Sequence, residues 1–240
     1  MTSVLGGAPA APPVPLPTVA ALDDLWREVS ARPLWAPPRF FRWLRLRSHL
    51  SPRLLDPARV RVLAPPGMVN DCASCRDNCC IGPRSTVLLR LPDVAVLCDI
   101  GREDLVTHAR PSFDDAELRR RPALRRQVES DAWRVFPVLR QNRFHACAAL
   151  TDEGRCSLHP HWPLGCARFP YALDLEHREV FYSRRCDSFW IRHDGRADGR
   201  VEAMKLAAVA AYNERVKDLV LLAYARERLQ GLGLLRFLAV

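Results

Sequence analysis

Apolar residues recur at helical spacing over several stretches of this chain and gather into short runs in others. A short helix is predicted over about 18–30, ending before Pro33. Behind Pro37 and Pro38, residues 39–47 (Arg-Phe-Phe-Arg-Trp-Leu-Arg-Leu-Arg) alternate apolar and basic positions and predict a second helix. Two fates suit such a helix. It packs Phe40, Trp43, Leu44 and Leu46 on the domain and solvates its arginines, or it lies on a membrane surface or an RNA backbone. Its brevity favours packing.

Further along, 85–91 reads as a short strand. Leu91-Pro92-Asp93 reads as a helix start, with Pro in the first turn and an acid near the N-terminus. That helix carries Val94, Val96, Leu97 and Ile100 and stops at Gly101. Residues 102–109 and about 113–134 are expected to continue as helices with a charged face, the second interrupted at Pro122. Residues 135–146 read as a strand. Residues 171–176 and 179–183 form a hairpin turning at His177-Arg178, and 200–230 has helical periodicity with Gly231 as its natural C-cap. The apolar run 234–240 is expected to dock on the domain. No internal repeat is visible.

The pattern divides the chain into a Pro/Ala-rich tail (1–17), an N-terminal helical arm (18–67), a cysteine-rich domain (68–190) and a C-terminal helical segment (196–240) packing on it. The fold class is α+β, mostly helical, with a small β-hairpin-containing, cysteine-rich metal core.

Composition sharpens this picture through cysteine. The chain has nine cysteines in 240 residues, with 48% hydrophobic and 26% charged residues, a globular profile. The most apolar stretch, 206–225, contains Asn213, Glu214, Arg215, Lys217 and Asp218 and is no membrane span. The N-terminus lacks a basic segment followed by an unbroken apolar one, so the expected address is a reducing cytoplasm. There, dense cysteine points to thiolate ligands and away from disulfides.

The net charge of +9 suggests a nucleic-acid partner at first sight. Yet only Lys205 and Lys217 are lysines, so the basicity is almost wholly arginine and reads as a compositional bias. Each divalent metal held by four thiolates would also bring about −2 to the fold. Nucleic acid is therefore the lesser expectation, and metal ions are the partners the sequence points to.

Cys72-Ala-Ser-Cys75-Arg-Asp-Asn-Cys79-Cys80 places four thiols within nine residues, a density that soft-metal chemistry requires and core packing does not. A second set follows as Cys147-x8-Cys156-x9-Cys166-x19-Cys186. Thr151-Asp152-Glu153-Gly154 is turn chemistry that holds Cys147 and Cys156 near each other. Pro160, Pro163 and Pro170 stiffen the loop that brings Cys166 round.

If the first cluster starts as a helical turn, Cys72, Cys75 and Cys79 share a face and Cys80 points about 100° away. Adjacent cysteines then serve different atoms or different sites. Eight thiols suffice for two four-thiolate zinc sites, or for one [4Fe–4S] cluster and a second centre. Softness alone does not choose between zinc and iron. Cys98, among Val96, Leu97 and Ile100, reads as a structural thiol. His159 and His161 are candidates for ligating metal or hydrogen-bonding a bound thiolate, and His145 reads as a strand side chain. Arg168 would either stabilise thiolate charge or pair with a carboxylate.

The pattern Cys-x2-Cys-x3-Cys-Cys, then Cys-x8-Cys-Ser-Leu-His-Pro and a downstream Cys-x-Arg-Phe-Pro, resembles the YkgJ-like CxxCxxCC family over about 68–190. Its members are described as zinc- or iron-chelating domains, with a flagellin lysine N-methylase among the relatives. The chain departs from that family in having one residue more before the cysteine pair and in the position of Arg168. The resemblance implies metal or iron–sulfur chelation and no single activity.

Function is thus expected to be zinc or iron binding, with redox or group-transfer chemistry as one outcome. A closed structural zinc module facing a protein or nucleic-acid partner is another, and metal storage or delivery a third. The cysteine spacing is the reverse of the radical S-adenosylmethionine motif, and neither a dinucleotide fingerprint nor a P-loop is present.

Overall fold

The computed structural model describes residues 15–49, 53–63, 68–70, 80–81, 86–109, 119, 136–182, 189–191 and 199–238. The tail over 1–14 and, apart from Arg119, the helices expected over 113–134 lie outside the described residues.

The first helix, α1 (Pro17–Ser30), forms because Pro17 opens it and Leu22, Leu25 and Val29 recur on one buried face. Its own N-cap makes no side-chain bond. Instead the carboxylate of Asp99 accepts from the Thr18 and Val19 N–H groups at 3.0–3.1 Å. An acid from another helix thus satisfies the first-turn donors and complements the helix dipole. Asp99 ends α3 (Leu91–Asp99), which buries Leu91, Val94, Ala95 and Leu97 and terminates before Gly101 at φ 69°.

The long helix α5 (Gly199–Tyr224) is the element the others share; α1, α3, the helix Phe40–His49 and the strands Met68–Asn70, Tyr171–Asp174 and Glu179–Tyr182 all pack on it. Its N-terminal half gives Ala208 and Val209 to a small core with Val60, Tyr171 and Val180. Its C-terminal half gives Val216, Val220 and Leu221 to a larger core with α1, α3 and the segment around Cys147. Asn213 pins the loop at Leu55 by accepting from its N–H at 2.8 Å and donating to its carbonyl at 3.0 Å.

The β structure is short and divided. Strand β1 (Arg61–Val62) runs parallel to β6 (Glu179–Tyr182), which pairs antiparallel with β5 (Tyr171–Asp174). The turn between β5 and β6 is built as expected, with Arg178 at φ 54° and Asp174 accepting from the Glu176 and His177 N–H groups. Strand β2 (Met68–Asn70) pairs antiparallel with β7 (Phe189–Ile191), and β3 (Val106–Ala109) with β4 (Phe136–Leu139). The architecture is α+β.

Several expectations need correction. Residues 102–109 are not a helix. A single turn at Glu103–Leu105 leads into β3, where β-branched Val106 and Thr107 pair with Leu139 and Val138. The strand expected over 135–146 stops at Leu139 because Asn142 builds a turn, its carboxamide oxygen accepting from the Phe144 and Ala146 N–H groups. His145 sits in that turn at φ 58°, exposed, and is not a strand side chain. Of the strand expected over 85–91, residues 86–90 form an extended segment that joins β4 through the Leu89 N–H to Pro137 and the Leu139 N–H to Val87, and Leu91 already opens α3. Gly231 is not the C-cap. Helix α6 (Arg226–Gly231) runs through it, and Gly233 at φ 72° closes the helix with bonds from Gly233 to Gln230 and from Leu234 to Leu229.

The largest departure is α2 (Phe40–His49). Leu46 is buried, but Phe40 and Leu44 are each 43% exposed and Phe41 80%. Of the apolar face expected on the domain, Leu46 is buried and Trp43 half-buried, while Phe40 and Leu44 are turned to solvent.

Candidate metal centre

Of the eight candidate thiols, Cys80, Cys147, Cys156 and Cys166 are described, and Cys72, Cys75, Cys79 and Cys186 lie outside the described residues. None of the described cysteines is in a disulfide. The end of the first cluster meets the start of the second set directly. The Cys147 N–H donates to the Cys80 carbonyl at 2.7 Å, and Ile81 bridges Ala146 in antiparallel fashion. Cys147 also bridges Gln141 across the Asn142 turn, so its backbone is held on both sides.

The chain then turns tightly to Cys156. The Leu150 N–H donates to the Cys147 carbonyl at 3.0 Å, Leu150 bridges Cys156, and the Ser157 N–H donates to Ala149 at 2.8 Å. Thr151-Asp152-Glu153-Gly154 closes this hairpin with Gly154 at φ 74°, as its composition predicts. Buried Leu158 then anchors the loop that leads to α4 (Leu164–Ala167), where Cys166 lies.

Two residues that sequence reasoning passed over position α4. Asp93, buried, accepts from the Leu164 N–H at 2.9 Å with one oxygen and from the Arg90 N–H at 2.8 Å with the other. The helix-start pattern at Leu91-Pro92-Asp93 signals the second bond. The first spans 71 residues and leaves no local trace. Gly165 is the other. A Cβ there would meet Val87 Cγ1 at 2.9 Å and the Leu88 carbonyl oxygen at 3.2 Å, so only glycine lets the Cys166 turn lie against 87–88.

Cys147 belongs to the larger core, and Cys80, Cys156 and Cys166 pack half-buried against that same core. Their soft donors fit zinc or iron by chemistry. Among the described residues, however, no three Cys, His, Asp or Glu side chains gather as a ligand group. Cys98 stands in a different setting on α3. Its Sγ lies 4.0 Å from the Glu103 carboxylate, and burial together with that negative charge pushes its thiol up, away from the thiolate form.

His159 is exposed, with its ring edge-on to Trp162 at 5.1 Å. Half-buried His161 lines a cavity of about 230 Å³ with Asp93, Val96, Leu97, Trp162 and Pro163. Arg168 reaches the Tyr171 carbonyl at 3.4 Å, a long contact.

The site is backed by an acidic layer. Burial pushes the Asp93 carboxyl up to about 6, with backbone bonds from Leu164 and Arg90 opposing the rise. Asp218 is half-buried as a residue, yet desolvation of its carboxyl, against the opposing charge of Arg90, pushes it up to about 8. Both groups hold protons in the fold that the unfolded chain has released. Their stabilising advantage is whole below pH 3.8 and is lost as pH rises through about 6 and then about 8. Asp218→Asn keeps an oxygen for the Leu91 N–H, bonded at 3.2 Å, and removes the titration. The variant is expected to melt above the parent at pH 8 and to lose that lead toward pH 4. Thermal scans at the two pH values check this, and an equal lead at both would sink it.

Comparison of the chain with protein-family models, with curated proteins and with solved structures finds no match in any of the three.

Proposed function

We propose that this chain is a metal-binding protein that chelates zinc or iron, including as an iron–sulfur cluster, through Cys72, Cys75, Cys79, Cys80, Cys147, Cys156, Cys166 and Cys186. The carrying observation is the Cys147 N–H to Cys80 carbonyl bond at 2.7 Å. It ties Cys80, the last thiol of the first cluster, to Cys147, the first of the second set, across 66 intervening residues, beside a core that Cys156 and Cys166 also border. The cysteine spacing, with its resemblance to YkgJ-like chelating domains, supports the same reading. Thiolate ligation would make metal uptake pH-dependent and couple it to folding.

A closed structural zinc module is the second reading, favoured by the burial of Cys147 within the main core. Metal there would supply folding energy and no chemistry. Anaerobic purification followed by metal and acid-labile sulfide analysis separates the two. Brown protein with sulfide supports a cluster. Colourless protein with stoichiometric zinc that unfolds on chelation supports the structural module, and protein free of both metal and sulfide under these conditions overturns chelation altogether.

A sharper expectation concerns individual thiols. Cys166→Ser is expected to lower metal content, while Cys98→Ser leaves it unchanged, because the Cys98 thiol is held beside Glu103. Equal loss from both variants, measured by elemental analysis, would show that the thiols have been partitioned wrongly.

A further inference from the structure

The metal reading makes no use of α2, which gathers exposed apolar residues on one helix face. With 100° per residue, Phe40, Leu44 and Phe41 fall on an arc spanning roughly 100° of the helix, which also takes in the small residue Ser48. The three apolar residues are exposed, Phe41 to 80%, and Trp35 just before the helix is 60% exposed. On the same wheel buried Leu46 lies opposite the arc and half-buried Trp43 lies about 60° beyond Phe40 on the side toward Leu46, and the helix packs on α5. The packing of the described residues thus leaves the arc open.

Its borders are basic. Arg47 follows one edge of the arc and Arg45 the other, with Arg42 beyond, and all three are exposed. Residues 31–49 contain five arginines and no acid. The Arg47 guanidinium stacks on Trp43 at 5.0 Å, and Phe40 stacks on Trp43 at 6.1 Å. Behind them, Arg39 is tied to the body by a bond to the Val29 carbonyl at 3.1 Å and by stacking on Tyr224 at 5.3 Å. The face is thus presented on a fixed base.

We propose that α2 docks on an anionic lipid surface, its Phe40–Phe41–Leu44 face entering the headgroup boundary and its flanking arginines meeting lipid phosphates. An apolar arc edged by cations on both sides matches the layered chemistry of such a surface, apolar below and negative at the rim. A nucleic-acid strand needs open rings on which to stack its bases, and Trp43, the largest ring of the helix, is half-buried and already stacked by Phe40 and Arg47. At ten residues the helix can lie in the interface without crossing it, and no helix among the described residues is long and apolar enough to cross a membrane.

The test is flotation of the purified full chain with vesicles of phosphatidylcholine alone and with phosphatidylglycerol added. Binding to the anionic vesicles is expected to be at least about tenfold tighter than to the neutral ones and to weaken with salt. Phe41→Ser is expected to lose about tenfold of that binding with an unchanged melting temperature, since Phe41 is largely outside the core. Phe41→Trp should retain it, and Arg42→Gln with Arg45→Gln should weaken it on anionic vesicles only. Absence of anionic-vesicle binding would overturn the proposal, and so would Phe41→Ser binding like the parent. Retention of single-stranded RNA without vesicle binding, or an α2-dependent dimer in place of it, would overturn it as well.

Discussion

Gly165→Ala is expected to lower the stability of the fold by about 1–3 kcal/mol, the usual cost of forcing an extra carbon into a filled site. The new methyl would lie 2.9 Å from Val87 Cγ1 and 3.2 Å from the Leu88 carbonyl oxygen. Neither neighbour yields readily. Valine is stiff at χ1, and Leu88 belongs to a segment tied to β4 through the flanking bonds of Val87 and Leu89. For a chain of this size each kcal/mol corresponds to roughly 2–4 °C in melting temperature. Gly165→Val should cost more, because its branches extend the same clash. On the thiolate reading, both variants should also lose metal in parallel with Cys166→Ser, since the clash displaces the turn that carries Cys166. An alanine variant that melts with the parent would mean that 87–88 gives way freely and that the close approach does not hold α4.

Asp93→Ala carries the other large effect. It strips the acceptors from two backbone donors at once, Leu164 N–H on α4 and Arg90 N–H at the start of α3. A donor left buried without an acceptor costs about 1–3 kcal/mol, so a loss of about 2–5 kcal/mol is expected, reduced wherever water reaches the nearby cavity. Asp93→Asn should fall between, because one carboxamide oxygen can serve one donor while its NH2 group opposes the other. Hydrogen exchange gives a local readout: the Leu164 amide should lose protection in Asp93→Ala. Unchanged protection there would show that α4 is held by its packing on α5 and owes little to Asp93.

How much of this was legible in the residues depends on the range of the interaction responsible. Helices α1 and α3 and the β5–β6 hairpin follow from local periodicity and turn chemistry and appear within a few residues of their expected places, whereas the single helix expected over 200–230 breaks at Ala225 into α5 and α6. Strand β3 departs from the helix expected over 102–109 because Val106 and Thr107 pair with Leu139 and Val138, a partner strand that no local pattern announces. Gly231 and Gly233 are equally suited to end a helix by composition. The choice falls to Gly233 because it lets Leu229 and Leu234 both bury completely. For α2 the periodicity identified an apolar face correctly but could not say whether the fold covers it.

The candidate site divides in the same way. Cysteine spacing announces the thiols, and Thr151-Asp152-Glu153-Gly154 announces the turn between two of them. The contacts that orient Cys166, from Asp93 and from the 87–88 backbone, join distant segments and leave no signature in any short stretch. Cys80 and Cys147 meet through main-chain atoms, which side-chain identity does not encode.

The packing of α1 against α3 and α5 has a consequence for synthesis on the ribosome. Helix α1 begins at Pro17 and α5 at Gly199, so at typical elongation rates of 5–20 residues per second α1 waits roughly 10–40 s before its partner exists. During that interval Leu22, Leu25 and Val29 can find α3 but not the rest of their core. The nascent chain therefore carries an unsatisfied apolar stripe until α5 emerges, and its final closure is an event of completion, in which an early helix is sealed by a late one.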